Sequence, residues 1–145
     1  MRLLSLFLLL ACLAACQKTK VTPVSERIRK VWVAQLVQEN AATVYTRGAI
    51  NTIRPAYGKY QLDLSSAGIV KLTETDGNTF LGQWQVSPDG KTLILNSFSS
   101  EPPTGTNGRV EYSIVSAADN ALTLLRNSTN LKTGAVNTQY QLIVL

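Results

Sequence analysis

The sequence predicts an all-β fold, a single antiparallel up-and-down barrel of eight or nine strands. Three observations support this. Beyond residue 27, apolar residues recur at every second position. Turn-forming steps such as Asp76-Gly77 and Ser87-Pro88-Asp89-Gly90 separate the runs at spacings near ten residues. No window of comparable length repeats at the 3.6-residue period of a helix.

Taken in order, the first strand differs from the rest. Val31, Trp32, Val33, Ala34, Leu36 and Val37 are apolar at both parities, the pattern of a strand buried on two sides. Thr43–Ile50 is a further strand. Tyr60, Leu62 and Leu64 then alternate with Gln61 and Asp63, and Val70 and Leu72 with Lys71 and Thr73. Phe80, Gly82, Trp84 and Val86 form the next inward set, followed by Leu93 and Leu95. Val110, Tyr112 and Ile114 alternate with Arg109, Glu111 and Ser113, and Leu122 and Leu124 come next. Tyr140, Leu142 and Val144 alternate with Gln139 and Gln141. Each set puts apolar side chains on one face and polar ones on the other. Short strands joined by tight turns make a meander, and eight or nine of them close into a barrel without exposed edges. The longer connections are 51–58 and 97–108. Loss of the last strand, Thr138–Leu145, is expected to reopen the sheet.

The N-terminus reads as an address. Arg2 precedes the apolar run Leu3–Ala11, which has the length of a signal-peptide core and is too short to span a bilayer. Leu13-Ala14-Ala15-Cys16 follows and resembles the bacterial lipobox. That resemblance implies cleavage before Cys16 and acylation of Cys16 by chains such as palmitate. Residues 1–15 are then a lipoprotein signal peptide, 16–26 the acylated Cys with a polar tether, and 27–145 the barrel domain. Cys12 leaves with the peptide, so no disulfide is expected. Two or three acyl chains anchor firmly, at about 0.8 kcal/mol per buried CH₂. Lys18 and Lys20 beside them suit an anionic surface. Gln17 in place of Asp after the Cys favours the outer membrane over inner-membrane retention.

Composition removes several function classes. The chain has 145 residues, 14 Lys+Arg, 9 Asp+Glu and no His. Without His there is no Ser-His or Cys-His nucleophile pair, and the commonest metal ligand is missing. With Arg2, Lys18 and Lys20 set aside the charge is nearly balanced, which argues against nucleic acid. No P-loop, Rossmann glycine pattern or Cys/His metal cluster is present, so no cofactor is expected. Asp63, Glu74, Asp76, Asp89, Glu101, Glu111 and Asp119 fall mostly in turns or on outward faces, and no two are marked as a catalytic pair. Asn127-Ser128-Thr129 matches a glycosylation sequon, an accidental match in an exported bacterial chain.

The opening strand with Trp32, the stretch Gly82–Leu95, and the Tyr112-Ser113-Ile114 and Leu122-Thr123-Leu124 strands together resemble the lipocalin-like domains common in lipoproteins of the Bacteroidetes. Lys30 stands where such domains carry the Gly of a Gly-x-Trp element. The resemblance implies a small up-and-down barrel and binding of an apolar small molecule.

Two site readings follow. The inward aromatics Tyr60, Phe80, Trp84, Tyr112 and Tyr140 are candidates for gripping an apolar ligand, with Trp32 closing one end as core. Alternatively the same side chains fill the barrel, and the protein meets an envelope partner through the 97–108 loop. Arg47, Arg54 and Lys59, with no acid among them, are candidates to receive an anion at the mouth or else form a solvated basic loop. The function expected from the residues is a membrane-anchored, non-enzymatic binder of a small apolar ligand.

Overall fold

The computed structural model describes residues 21–99, 102–103 and 105–145; the apolar run Leu3–Ala11, Cys12, Cys16 and Glu101 lie outside them. Nine strands follow in order: β1 (Val31–Glu39), β2 (Ala42–Thr46), β3 (Gln61–Asp63), β4 (Ile69–Thr73), β5 (Thr79–Val86), β6 (Thr92–Asn96), β7 (Val110–Ala117), β8 (Ala121–Arg126) and β9 (Thr138–Val144). β1 pairs antiparallel with both β2 and β3, each strand from β3 to β8 pairs antiparallel with the next, and β9 returns to pair with β1. β1 and β3–β9 thus close an eight-stranded up-and-down barrel, and β2 is one extra strand. β3 pairs with Val31–Val33 at the start of β1, and β2 takes over from Leu36 to Glu39.

The doubly apolar pattern of β1 has a local cause. The register against β9 shifts between Ala34 and Leu36. One extra residue at Gln35 reverses the inward parity, so Trp32 and Ala34 face the core before it and Val37 and Glu39 after it. Val33 is the off-phase exception, buried although its neighbours Val31 and Leu36 are only half-buried. Arg47 holds the bulge. Its backbone N–H donates to Gln35 O at 2.8 Å, and its Nε to Ala34 O at 2.8 Å. β2 stops at Thr46 rather than running to Ile50 because the chain turns there, with Ala49 N donating to Thr46 O at 3.2 Å and Gly48 at φ +80°.

On either side of the bulge the interior is layered. Val37, Tyr140, Leu124 and Ile114 are successive partners on β1, β9, β8 and β7, and beneath them come Ala34, Leu142, Leu122 and Ala117. Trp32, Leu62, Leu72 and Phe80 cross the opposite wall. Apart from Phe80, these side chains join Leu64, Val70, Leu93 and Leu95 in one core cluster, with Ile114 and Ala117 partly buried against it.

The two ends of the barrel differ. One carries the tight β3–β4, β5–β6 and β7–β8 turns and is sealed by α1 (Val24–Arg27). That helix lies within the stretch expected as a polar tether through residue 26. Arg27 Nη1 donates to Ala117 O at 2.8 Å, the Lys30 ammonium donates to Asp119 O, and Trp32 Nε1 donates to Ile28 O at 2.8 Å. Trp32 is fully buried at this end, as its pattern predicts.

The other end carries the β1–β2 and β4–β5 turns, the 97–109 and 127–137 loops, and a 3-10 helix (Pro55–Lys59) that covers the gap between β2 and β3. The β1–β2 turn has an unusual occupant. Asn40 and Ala41 both adopt positive φ, +48° and +69°. Such a two-residue turn matches the sheet twist, but alanine is strained there. Ala41→Gly is expected to raise stability by about 0.5–1 kcal/mol, read as a higher midpoint in thermal unfolding.

Candidate functional site

At the loop end the inward layer changes from apolar to polar. Glu39, Thr138, Arg126 and Tyr112 are successive partners on β1, β9, β8 and β7, and all four are buried. From the facing wall Glu74, just beyond β4, and Tyr60, just before β3, complete the ring. Each position is dictated by strand parity. Arg126 continues Leu122 and Leu124, Glu74 continues Val70 and Leu72, and Thr138 precedes Tyr140 and Leu142 in phase.

Tyr140 is the hub of the aromatic part. Its ring stacks on Tyr60 at 4.7 Å and meets Tyr112 and Tyr57 edge-on, each at 6.0 Å. Tyr60 Oη donates to Tyr112 Oη at 3.3 Å. Burial pushes the Tyr60, Tyr112 and Tyr140 hydroxyls above the ordinary phenol range, and the nearby Arg126 charge opposes that rise for all three.

Two charge groups flank this cluster. In the first, Glu39 accepts from Arg54 Nε at 2.7 Å and from Tyr57 Oη at 2.6 Å, and Arg54 Nη2 also reaches Thr133 O at 3.2 Å. In the second, the Lys132 ammonium joins Glu74 and Asp76, the latter at 2.6 Å, and lies 5.8 Å from the Phe80 ring centroid. Burial alone would lower the Lys132 pKa; hydrogen bonds to Asp76 and Glu74 reverse that and raise it. The Lys132 hydrogen bond in turn holds the Asp76 carboxyl below its usual range. The 127–137 loop is thereby strapped across the mouth to the β4–β5 turn.

Arg126 is less well served. Its nearest carboxylate oxygen, Glu74 Oε1, is 3.7 Å from Nη1, beyond hydrogen-bond length; Nε reaches Ser128 Oγ at 3.3 Å, and the Tyr140 hydroxyl lies beside the guanidinium. Arg126 Nη2 and Thr138 Oγ1 are buried with no hydrogen-bond partner at all. Glu74 Oε2 has no regular hydrogen bond beyond its contact with Lys132.

The five aromatics named from the sequence do not share one chamber. Tyr60, Tyr112 and Tyr140 belong to the polar layer. Phe80 packs edge-on against Phe98, centroids 6.4 Å apart, beneath Lys132. Trp84 lies apart, its indole N–H donating to Ser66 O at 2.9 Å, with its outer edge in an open depression beside Gly68, Ile69 and Asn96. Arg54 is tied to Glu39 and Arg47 to the bulge, so neither forms a free basic loop. Arg126 and Thr138 carry no motif in the sequence; the signal for them, and for Glu74, is parity, a polar residue at the end of an inward apolar series, whereas Lys132 lies in the 127–137 loop and carries no such signal. Glu74 in particular faces inward, unlike the outward or turn placement read from the alternation.

Depressions lined by the described residues are open to solvent. One lies directly over the polar layer, bounded by Ile53, Arg54, Ala56, Tyr57, Thr75 and Lys132. Among the described residues no group of three or more metal-ligating side chains converges.

No protein-family model matches the sequence, and no curated protein matches it significantly. Solved structures do resemble it. A lipocalin-like protein from Bacteroides uniformis superposes with a TM-score of 0.53 at 13% identity, covering 82% of this chain and 99% of that one. An uncharacterised protein from Bacteroides eggerthii gives a TM-score of 0.44 at 11% identity, covering 80% and 98%. At such identities the first likeness speaks to fold alone. The chain has an all-β, lipocalin-like fold, a closed eight-stranded antiparallel barrel with one added strand.

Proposed function

We propose that this is a non-enzymatic lipoprotein, exported and held at the cell envelope by acyl chains on Cys16, whose barrel binds a small ligand at the loop end. One observation carries the binding reading: a layer of hydrogen-bonding side chains crosses the barrel interior, and two of its polar atoms, Arg126 Nη2 and Thr138 Oγ1, are unpartnered. A barrel serving only as a scaffold gains nothing from such a layer, since apolar side chains of equal volume would cost less. The layers below are filled by Val37, Leu124, Leu142 and Leu122, so the apolar part of the ligand is short.

The geometry also suits an anchored protein. The described chain starts beside α1, at the sealed end, so a tether from residue 16 would turn that end toward the membrane and the loop end away from it. The outer membrane is the proposed location.

A second reading, an interaction lipoprotein with a filled core, is favoured by that same close packing and by Ile50 and Ile53, both exposed beside the loop end. Growth with an alkyne analogue of palmitate is expected to label the chain and place it with the outer membrane; Cys16→Ser should lose both label and location. Native mass spectrometry of the lipoprotein from its own host is expected to reveal a retained small molecule. A bare chain that instead co-purifies with one protein, and no longer does so on deletion of 99–107, would establish the second reading.

A further inference from the structure

We infer that the ligand carries a carboxylate, and that Arg126 Nη2 and Thr138 Oγ1 are the groups that receive it; this rests on the small-molecule reading above. The two residues are direct cross-strand partners on β8 and β9, both facing inward, which places their side chains about 5 Å apart at Cβ. One carboxylate has two acceptor oxygens and can take a hydrogen bond from each neighbour at once. A neutral hydroxyl or amide would offer the pair one weaker acceptor, and would add no charge-assisted bond to a guanidinium whose own carboxylate partner, Glu74, stays 3.7 Å away.

The charges around the site balance, but they are unevenly paired. Glu74 is held closely by Lys132, and Lys132 is shared with Asp76. Glu39 is occupied by Arg54 and Tyr57. Arg126 is the cation left with only a loose partner, its guanidinium 2% exposed and 3.7 Å from the nearest carboxylate oxygen. The tyrosine hydroxyls beside it are held neutral, so they are donors to an anion rather than competitors for the arginine. The interior fits closely around Nη2, so binding must lift the Lys132 strap. The depression above it, between the 3-10 helix and the β4–β5 turn, gives the route. The filled layers beneath limit the acid to a short aliphatic or single-ring chain.

The test uses the full-length chain in lipid nanodiscs and ligand-observed saturation-transfer NMR at neutral pH. Butyrate, hexanoate and phenylacetate are each compared with the matching neutral amide, and with inorganic phosphate. At least one acid is expected to bind about tenfold or more tightly than its amide. That preference should vanish in Arg126→Met and shrink in Thr138→Val. Because Arg126→Met could fail to fold, Thr138→Val carries an independent readout: without ligand its thermal midpoint should hold or rise, since an unpartnered buried hydroxyl is removed. A fall would mark that hydroxyl as structural and overturn the proposal. Acid and amide binding alike would overturn the carboxylate while leaving the small-molecule reading intact. Phosphate binding as tightly as the acids would also overturn it, in favour of a simple anion site. If no acid or amide binds below about 1 mM, the carboxylate proposal and the small-molecule reading fall together.

Discussion

Above pH 10 the barrel is expected to unfold in one cooperative step, with phenolate absorbance appearing together with the loss of β-sheet circular dichroism. Tyr57, Tyr60, Tyr112 and Tyr140 are all buried. Desolvation is the main reason each hydroxyl keeps its proton to higher pH than a free tyrosine, and the Glu39 carboxylate adds to it at Tyr57. In the unfolded chain a tyrosine ionises near pH 10. A folded pKa raised above that value means stability that is complete below pH 10 and is lost as pH climbs toward the folded value. Each such group removes about 1.4 kcal/mol per pH unit in that window, so four acting together remove roughly 5–6 kcal/mol per unit. A domain of this size holds about 5–15 kcal/mol in total. The unfolding midpoint should therefore fall within one or two units above pH 10. Lys132 adds to the effect in the same direction, because its raised pKa also makes the ion pairs a feature of lower pH. Phenolate absorbance rising gradually in a protein that stays folded would show that these hydroxyls reach solvent.

Much of the fold was legible because a barrel wall writes its orientation into alternate residues. Seven of the nine strands follow from inward series such as Val110, Tyr112 and Ile114, and the turns at Asp76-Gly77 and Asp89-Gly90 carry the positive φ that glycine permits, +89° and +75°. The bulge at Gln35 was not legible. It changes which parity faces inward, and a doubly apolar run looks the same whether a strand is buried twice or switches phase once. The 3-10 helix was hidden for a related reason: Pro55-Ala56-Tyr57-Gly58 has turn residues but is too short to show a period, although it delivers Tyr57 to Glu39.

The polar layer was harder to read. Aromatic residues at inward positions announce themselves, and Tyr60, Tyr112 and Tyr140 were found that way. Arg126 was passed over because a charged residue at a strand end is normally assumed to have left the core. Yet it stands two positions after Leu124 and four after Leu122, where parity leaves it no outward choice. Charge pattern pointed instead to Arg47, Arg54 and Lys59, since a run of cations without acids looks free. The acceptors of Arg47 and Arg54, Ala34 O and Glu39, come from β1, and no local window contains that information.

Glu74→Gln is expected to be among the most destabilising single substitutions in the barrel. Glu74 is 5% exposed and is the only carboxylate near both Arg126 and Lys132 among the described residues. Glutamine keeps its shape and removes its charge. Lys132 can respond, because it is less deeply placed, pairs with Asp76, and has a long stem that can swing its ammonium outward. Arg126 cannot, since its side chain is 2% exposed and fixed on β8 between Tyr112 and Thr138. Removing one member of a buried pair leaves the other charge uncompensated and costs about 3–5 kcal/mol, which here corresponds to a fall of roughly 10–20 °C in the thermal midpoint. The double substitution Glu74→Leu with Arg126→Leu removes both charges and fills their volume, so it should be markedly more stable than Glu74→Gln alone. A double variant no better than the single one would mean that the cost lies in lost packing or loop anchoring. A double variant at least as stable as the natural chain would show that the protein tolerates a stability penalty at this layer, as a chain does when a polar interior is kept for a ligand.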